Sequence, residues 1–197
     1  MLRTTKSPQE SLEKAIELMQ KAIALDDGHG AAHGALGMWY ACNREYDKAI
    51  AEGKRAMALD PSGAEVHVRY GGFLRIAGRP EESIPMYQKG IRLNPFAPAW
   101  YYSSFVFALL YRGRFEEAVS AYKKAGQLVS DDIPTHIGLA STYSMMGREK
   151  EARAEAEEVL RINPKFSVDQ MAKRGLPYKE QWQIDKIVNA WRKAGLK

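Results

Sequence analysis

Apolar residues recur along the chain at the three-and-four spacing of one helix face, and the pattern repeats. The segments EKAIELMQKAIALDD (13–27), DKAIAEGKRAMALDP (47–61), EESIPMYQKGIRLNP (81–95), EEAVSAYKKAGQLVS (116–130) and KEARAEAEEVLRINP (150–164) share one register. Their small anchors Ala15, Ala49, Ser83, Ala118 and Ala152 lie 34, 34, 35 and 34 residues apart. Each segment predicts a helix, B. Pro61, Pro95 and Pro164 end three of these helices, because proline cannot continue one, and Ser130 takes the proline slot once. The stretches between them predict a second helix, A. They read His33-x-x-Leu36-Gly37-x-x-Tyr40, His67-x-x-Tyr70-Gly71-x-x-Leu74, Tyr102-x-x-Phe105-Val106-x-x-Leu109 and His136-x-x-Leu139-Ala140-x-x-Tyr143. The small residue beside the second apolar position lets a neighbouring helix come close. Gly78, Gly113 and Gly147 mark the turns from A to B.

The unit is therefore helix A, turn, helix B, turn. Four full copies fall at about 30–61, 64–95, 99–130 and 133–164, and a half-copy with helix B only occupies 1–27. Ser7-Pro8-Gln9-Glu10 starts the half-copy, with Ser as N-cap, Pro at the first helical position and Glu at the third. One face of that helix needs cover, which points to a longer array or to contact with another copy. Two irregularities follow from the spacing. One extra residue falls near Ala97-Pro98, and Pro85 predicts that the third B helix starts late or kinks. In the tail, 165–197, Ser167 caps a short helix that Gly175-Leu176-Pro177 breaks. Lys179 to Ala194 then carries an apolar stripe of Ile184, Ile187, Val188 and Trp191, with Gly195 as the stop. This helix reads as a cap on the last repeat, with docking of a partner as the alternative.

The 34-residue unit resembles the tetratricopeptide repeat (TPR), whose pattern is W-x-x-L-G-x-x-Y, then A-x-x-x-F, then P. The resemblance covers residues 11–164. Here His or Tyr stands for the Trp, and Gly53 and Ala156 replace the large residue of helix B, leaving those sites less filled or filled by neighbours. The resemblance implies an all-α, right-handed α-α superhelix with a C-terminal capping helix and a concave face lined by helices A. By register it implies a partner groove of Met38, Val68, Arg75, Ile76, Trp100, Ser103, Phe107, Leu110, Tyr111, Ile137, Ser141 and Met145. Gly34, Met38 and Gly72 take positions where some relatives place the Lys, Asn and Arg of a carboxylate clamp, so no such clamp is expected. The tail motifs Asn163-Pro164-x-Phe166-Ser167 and Leu176-Pro177-Tyr178-Lys179 also resemble TPR regions of bacterial signalling proteins with a class III nucleotide cyclase or winged-helix domain. That implies an alternative role as a regulatory region.

Composition narrows the chemistry. The 197 residues are 45% hydrophobic and 27% charged, which is ordinary for a folded domain. The formal charge of +5 lies wholly in the tail. From Lys165 onward there are eight basic and three acidic residues, against 21 of each before. Specific nucleic-acid binding is therefore not expected of the array. Cys42 is the single cysteine, and no apolar run reaches membrane-spanning length, so a cytoplasmic location with no membrane contact is expected. His33, His67 and His136 occupy one slot of successive helices and read as structural rather than as a metal set. Asp26-Asp27 and Asp131-Asp132 sit in turns, as caps or solvated charges. No catalytic residue, cofactor or metal is expected. The function expected is a non-catalytic scaffold that binds a protein or peptide, with homo-oligomerisation through the N-terminal half-repeat as an alternative.

Overall fold

The structure, a computed structural model, describes residues 8–129, 131–173 and 175–197. Ser7 and Ser130, the expected cap and the expected proline-slot residue, lie outside the described residues. The regular elements among the described residues are eleven α-helices: α1 (Pro8–Leu25), α2 (Gly30–Cys42), α3 (Tyr46–Leu59), α4 (Ala64–Ile76), α5 (Pro80–Leu93), α6 (Ala99–Tyr111), α7 (Phe115–Leu128), α8 (Ile133–Met145), α9 (Glu149–Ile162), α10 (Val168–Lys173) and α11 (Gln181–Ala194). The pairs α2/α3, α4/α5, α6/α7 and α8/α9 are the four antiparallel units, and α1 packs on α2 as a lone helix B. Each helix B also contacts the next helix A, and α2, α4, α6 and α8 touch in sequence along the inner face. The result is a superhelical solenoid.

The turns within repeats follow one stereochemical rule. Their central residue has a positive φ: 62° at Arg44, 81° at Gly78, 70° at Gly113 and 76° at Gly147. The next amide then donates back to the carbonyl five residues earlier, as in Arg79 N–H to Leu74 O at 2.8 Å and Arg148 N–H to Tyr143 O at 2.9 Å. Glycine adopts this left-handed conformation without cost, whereas Arg44 does not. Three B helices then open on an Arg whose side chain reaches a Glu three residues on. These pairs are Arg79–Glu82, Arg114–Glu117 and Arg148–Glu151, with Nε–Oε1 distances of 2.6, 2.6 and 2.8 Å.

The irregularities have local causes. The turn between α5 and α6 holds five residues where neighbouring inter-repeat turns hold four, and Ala97 is buried there. Pro85 does not delay its helix. α5 begins at Pro80, in phase with the other B helices. Pro80 suits the first helical position, and Ser83 secures the first turn through its amide to Arg79 O and its hydroxyl to Pro80 O. The hydrogen bond that Pro85 cannot donate lies on an exposed side, where water can serve the free carbonyl.

Two apolar cores run along the solenoid. The smaller joins Leu36, Tyr40, Ile50, Phe73, Leu74 and Ile76, with Ile16, Met19 and Ile23 of α1 against it. The larger extends from Val68 and Tyr87 through Val106, Leu109, Tyr122 and Leu139 to Ile187, Trp191 and Leu196. Missing bulk is supplied by neighbours. A Cβ on Gly53 would lie 2.5 Å from Tyr70 and 2.9 Å from Phe73, and one on Gly138 would lie 1.8 Å from the Tyr122 ring.

The tail packs on the last repeat. α10 starts at Val168, 35 residues after α8, so it is in phase with the next helix A. It stops after six residues, and Gly175 turns the chain with φ 79°. The chain then folds back, and α11 packs chiefly on α8, an inner helix, and only lightly on α9.

Candidate interaction surface

The inner face is aromatic because α6 reads AWYYSSFVFALLY. Trp100, Ser103, Phe107 and Tyr111 recur at helical spacing and share one side. At the start of that side Trp100 is 40% exposed, stands edge-on to Tyr101 at 4.5 Å, and lies 5.8 Å from the Arg69 guanidinium. Arg69 is in turn paired with Glu65 on the same helix. Ser103 is half-buried and donates its hydroxyl to Ala99 O at 3.2 Å. Phe107 is half-buried below Arg75, 5.4 Å from its guanidinium.

Beyond Phe107 the inner face is covered by the chain's own C-terminal arm. Tyr178 is buried, and its ring stands edge-on to Tyr111 at 5.7 Å. Arg75 donates to the Tyr178 hydroxyl at 2.7 Å and to the Tyr87 hydroxyl at 3.3 Å. No carboxylate among the described residues is paired with this guanidinium, which is instead enclosed by hydroxyls and ring faces. Burial pushes Tyr87, Tyr111 and Tyr122 above the ordinary tyrosine range, so they stay neutral phenols. Trp182 of the arm stays 46% exposed and packs edge-on against Tyr111 at 5.4 Å.

The residues expected to line a groove therefore divide. Trp100, Ser103, Phe107, Met38 and Met145 are exposed or half-buried. Leu110, Tyr111, Ile137 and Ser141 are buried on the side where the arm and α11 lie, and Ile76 is buried in the smaller core, only its carbonyl meeting the arm. Val68 is buried for another reason: it fills the space over Gly90 of α5, where a Cβ would lie 2.5 Å from it. Arg75 is half-buried and belongs to the seam with the arm. Register placed these residues on helices A but gave no sign that residues 176–194 return to them. Arg69, Tyr178 and Trp182 join the surface without having been expected. The tail's apolar stripe and its Leu176-Pro177-Tyr178-Lys179 motif were visible in the sequence, but neither named the inner helices as their partner.

Three histidines and Asp132 tie helices and turns together. His33 bridges Glu52 at 2.6 Å and Asp27 at 3.1 Å, tying α2 to α3 and to the preceding turn. His136 contacts Glu155 at 2.7 Å in the same way, and His67 contacts the Pro61 carbonyl at 2.9 Å. Asp132 caps α8 by accepting from Thr135 N–H at 2.9 Å. Desolvation by neighbouring groups raises the thiol of Cys42, an exposed residue, above its ordinary range. A further cleft of about 430 Å³ opens between α5 and α7, floored by Ile91, Tyr102 and Phe105.

Sequence models described as the tetratricopeptide repeat match residues 9–64 and 109–173. The chain carries tetratricopeptide repeats. It is similar to the small glutamine-rich tetratricopeptide repeat-containing protein 2 of Mycosarcoma maydis, with 31% identity over 86 residues. That match takes in 44% of this chain and 22% of that protein, so the chain spans about a fifth of the curated relative's length. Among solved structures, PilW, described as a widely conserved type IV pilus biogenesis factor, superposes with a TM-score of 0.75 at 20% identity. The match covers 94% of this chain and 82% of PilW. YrrB, described as a TPR protein with an unusual peptide-binding site, gives 0.63 at 18% identity over 91% of each chain. At these identities the likeness is one of fold. The resemblance to cyclase-associated arrays gains no support from these relatives. No described helix is long and apolar enough to cross a membrane.

Proposed function

We propose that this chain is a non-catalytic protein-interaction module. Its open inner strip holds an extended or helical partner segment with apolar anchors. The strip is Trp100, Ser103 and Phe107, flanked by Arg69 and by Trp182 of the arm. The observation that carries this reading is Trp100, a large aromatic left 40% exposed on the inner face of a packed array. Exposed aromatics beside an arginine are typical anchors of protein interfaces. The description of YrrB as having a peptide-binding site lends the same reading support. A reducing, cytoplasmic setting fits the lone Cys42.

The test begins with affinity capture and identification of the bound protein, followed by titration of its binding segment. The Trp100→Ala/Phe107→Ala variant, with unchanged helicity, is expected to weaken that binding at least about tenfold. Unchanged affinity would remove the strip from the site. A second reading, self-association through α1, is favoured by Leu18 and Leu25, which are 56% and 89% exposed. Light scattering across a concentration series tests it, and a monomer at every concentration would count against it.

A further inference from the structure

The outer side of the array, where the B helices lie, carries a cleft at a break in the repeat's own pattern. In the first and last full repeats a histidine of helix A contacts a glutamate of helix B 19 residues on. These contacts are His33 with Glu52 at 2.6 Å and His136 with Glu155 at 2.7 Å. The third full repeat places Tyr102 and Ala121 at the same two positions. Alanine is shorter than glutamate by the whole carboxylate arm. Beside Ala121 lies the cleft of about 430 Å³, with α5 and α7 as walls and Tyr102 and Phe105 of α6 beneath. The longer turn between α5 and α6 is at the same junction.

The cleft has an apolar floor and a cationic rim. Ile91 and Tyr102 are half-buried, and Phe105 is buried. Arg92 on one wall and Lys124 on the other are exposed, and among the described residues neither is paired with a carboxylate. Arg92 is the one described arginine whose side chain makes neither an ion pair nor a hydrogen bond. Glu117 also borders the cleft, but Arg114 donates to both of its oxygens, at 2.6 and 2.7 Å. The unmatched charge of the rim is therefore positive. A volume in the range of about 300–1,000 Å³, apolar walls and a few placed polar groups characterise small-molecule sites. The α7 wall runs from Glu117 to Lys124, about 10 Å along the helix. That is the length of a two-ring molecule and of no more than about three extended residues.

We propose that this outer cleft binds a small aromatic carboxylic acid, with its rings over Ile91, Tyr102 and Phe105 and its carboxylate between Arg92 and Lys124. Ring burial supplies the affinity, and the two cations select for the anion. A bound acid joins the B helices of consecutive repeats, so it also stabilises the folded array by mass action. The site shares no residue with the inner strip of Trp100, Ser103 and Phe107.

The experiment titrates the full chain with naphthoate by calorimetry, with naphthalenemethanol as the neutral counterpart and acetate as the ring-free one. Naphthoate is expected to bind saturably with a dissociation constant below about 1 mM, and the alcohol at least about fivefold more weakly. Acetate is expected not to saturate. Arg92→Gln/Lys124→Gln is expected to bring naphthoate down to the affinity of the alcohol and to leave the alcohol unchanged. Ala121→Glu restores the carboxylate that Glu52 and Glu155 supply in their repeats, and is expected to abolish naphthoate binding with unchanged helical circular dichroism. The double variant alters exposed residues alone, so it decides the case even where Ala121→Glu unfolds. Trp100→Ala/Phe107→Ala is expected to leave naphthoate binding unchanged, so failure here and failure of the open-strip reading are separate results. The proposal is overturned if naphthoate does not saturate, if the alcohol binds as tightly, or if the double variant binds naphthoate like the parent chain. Uptake of an acetylated Glu-Phe-Glu peptide in place of naphthoate overturns it in favour of a protein partner. A dimer that naphthoate dissociates overturns it in favour of a second copy.

Discussion

The two ends of the solenoid are built from the same repeat and are finished differently. At the N-terminal end α1 rests on α2, and Leu18 and Leu25 face outward. At the C-terminal end α11 folds back over α8, and Ile187, Trp191, Ala194 and Leu196 are 1–3% exposed. The repeat pattern sets how helices stack on their neighbours, but what covers the inner face depends on sequence outside the repeat. In a solenoid, where stability is a sum over neighbouring contacts, such a difference makes one end the weaker.

The largest expected contrast comes from truncating matched apolar residues at the two ends. Trp191→Ala removes a buried ring and should cost about 3–5 kcal/mol by urea unfolding, whereas Leu18→Ala should cost less than about 1 kcal/mol. Equal losses would mean that α1 is covered as thoroughly as α11. Next in size is the seam. Tyr178→Phe takes one hydroxyl from the Arg75 guanidinium and should cost about 1.5–3 kcal/mol. A neutral result would break the claim that this contact seats the arm. Gly72→Ala should act in the other direction. A Cβ there meets only the Tyr87 hydroxyl at 3.6 Å, so the gain in helix propensity should raise stability by up to about 1 kcal/mol.

The smallest effect is on pH. Side-chain hydrogen bonds from Lys14 and Lys21 hold Glu17 down to about 2. The hydrogen bonds of Arg55, Lys48, Arg79 and Arg148 lower Asp27, Glu45, Glu82 and Glu151. A carboxylate lowered in the folded state contributes above its unfolded value and loses that contribution as pH falls through the folded one. Thermal stability should therefore be flat at neutral pH and decline from about 4.5 toward about 2. Asp27 and Glu82 are exposed and Glu17, Glu45 and Glu151 are only half-buried, so the decline should be shallow and smaller still in high salt. A steep loss above pH 5 would point to other groups.

Much of the scaffold was legible because helix ends are written locally. The spacing of Ala49, Ser83, Ala118 and Ala152, the turn glycines and the prolines each act within a few residues of where they stand. Pro85 did not delay the start of its helix, because its effect depends on which side of the helix loses a donor, and here that side is wet. The inner surface was half legible. Register put Trp100 and Phe107 on the inner helix, but the stripe of Ile184, Ile187, Val188 and Trp191 states only that one face of α11 is buried. Its partner is decided by contacts such as Tyr178 with Arg75, 103 residues apart, which no local pattern encodes.

Hydrogen exchange of the intact chain, read by mass spectrometry, tests the seating of the arm most directly. Peptides from α1 should exchange first, those from 183–194 later, and those from α6 and α8 last. Protection of 183–194 should reach about a thousandfold over the unfolded chain, in keeping with a tethered segment docked on its own array. If residues 183–194 exchange as fast as an unfolded peptide while α8 stays protected, the arm does not cover the inner face and the account fails.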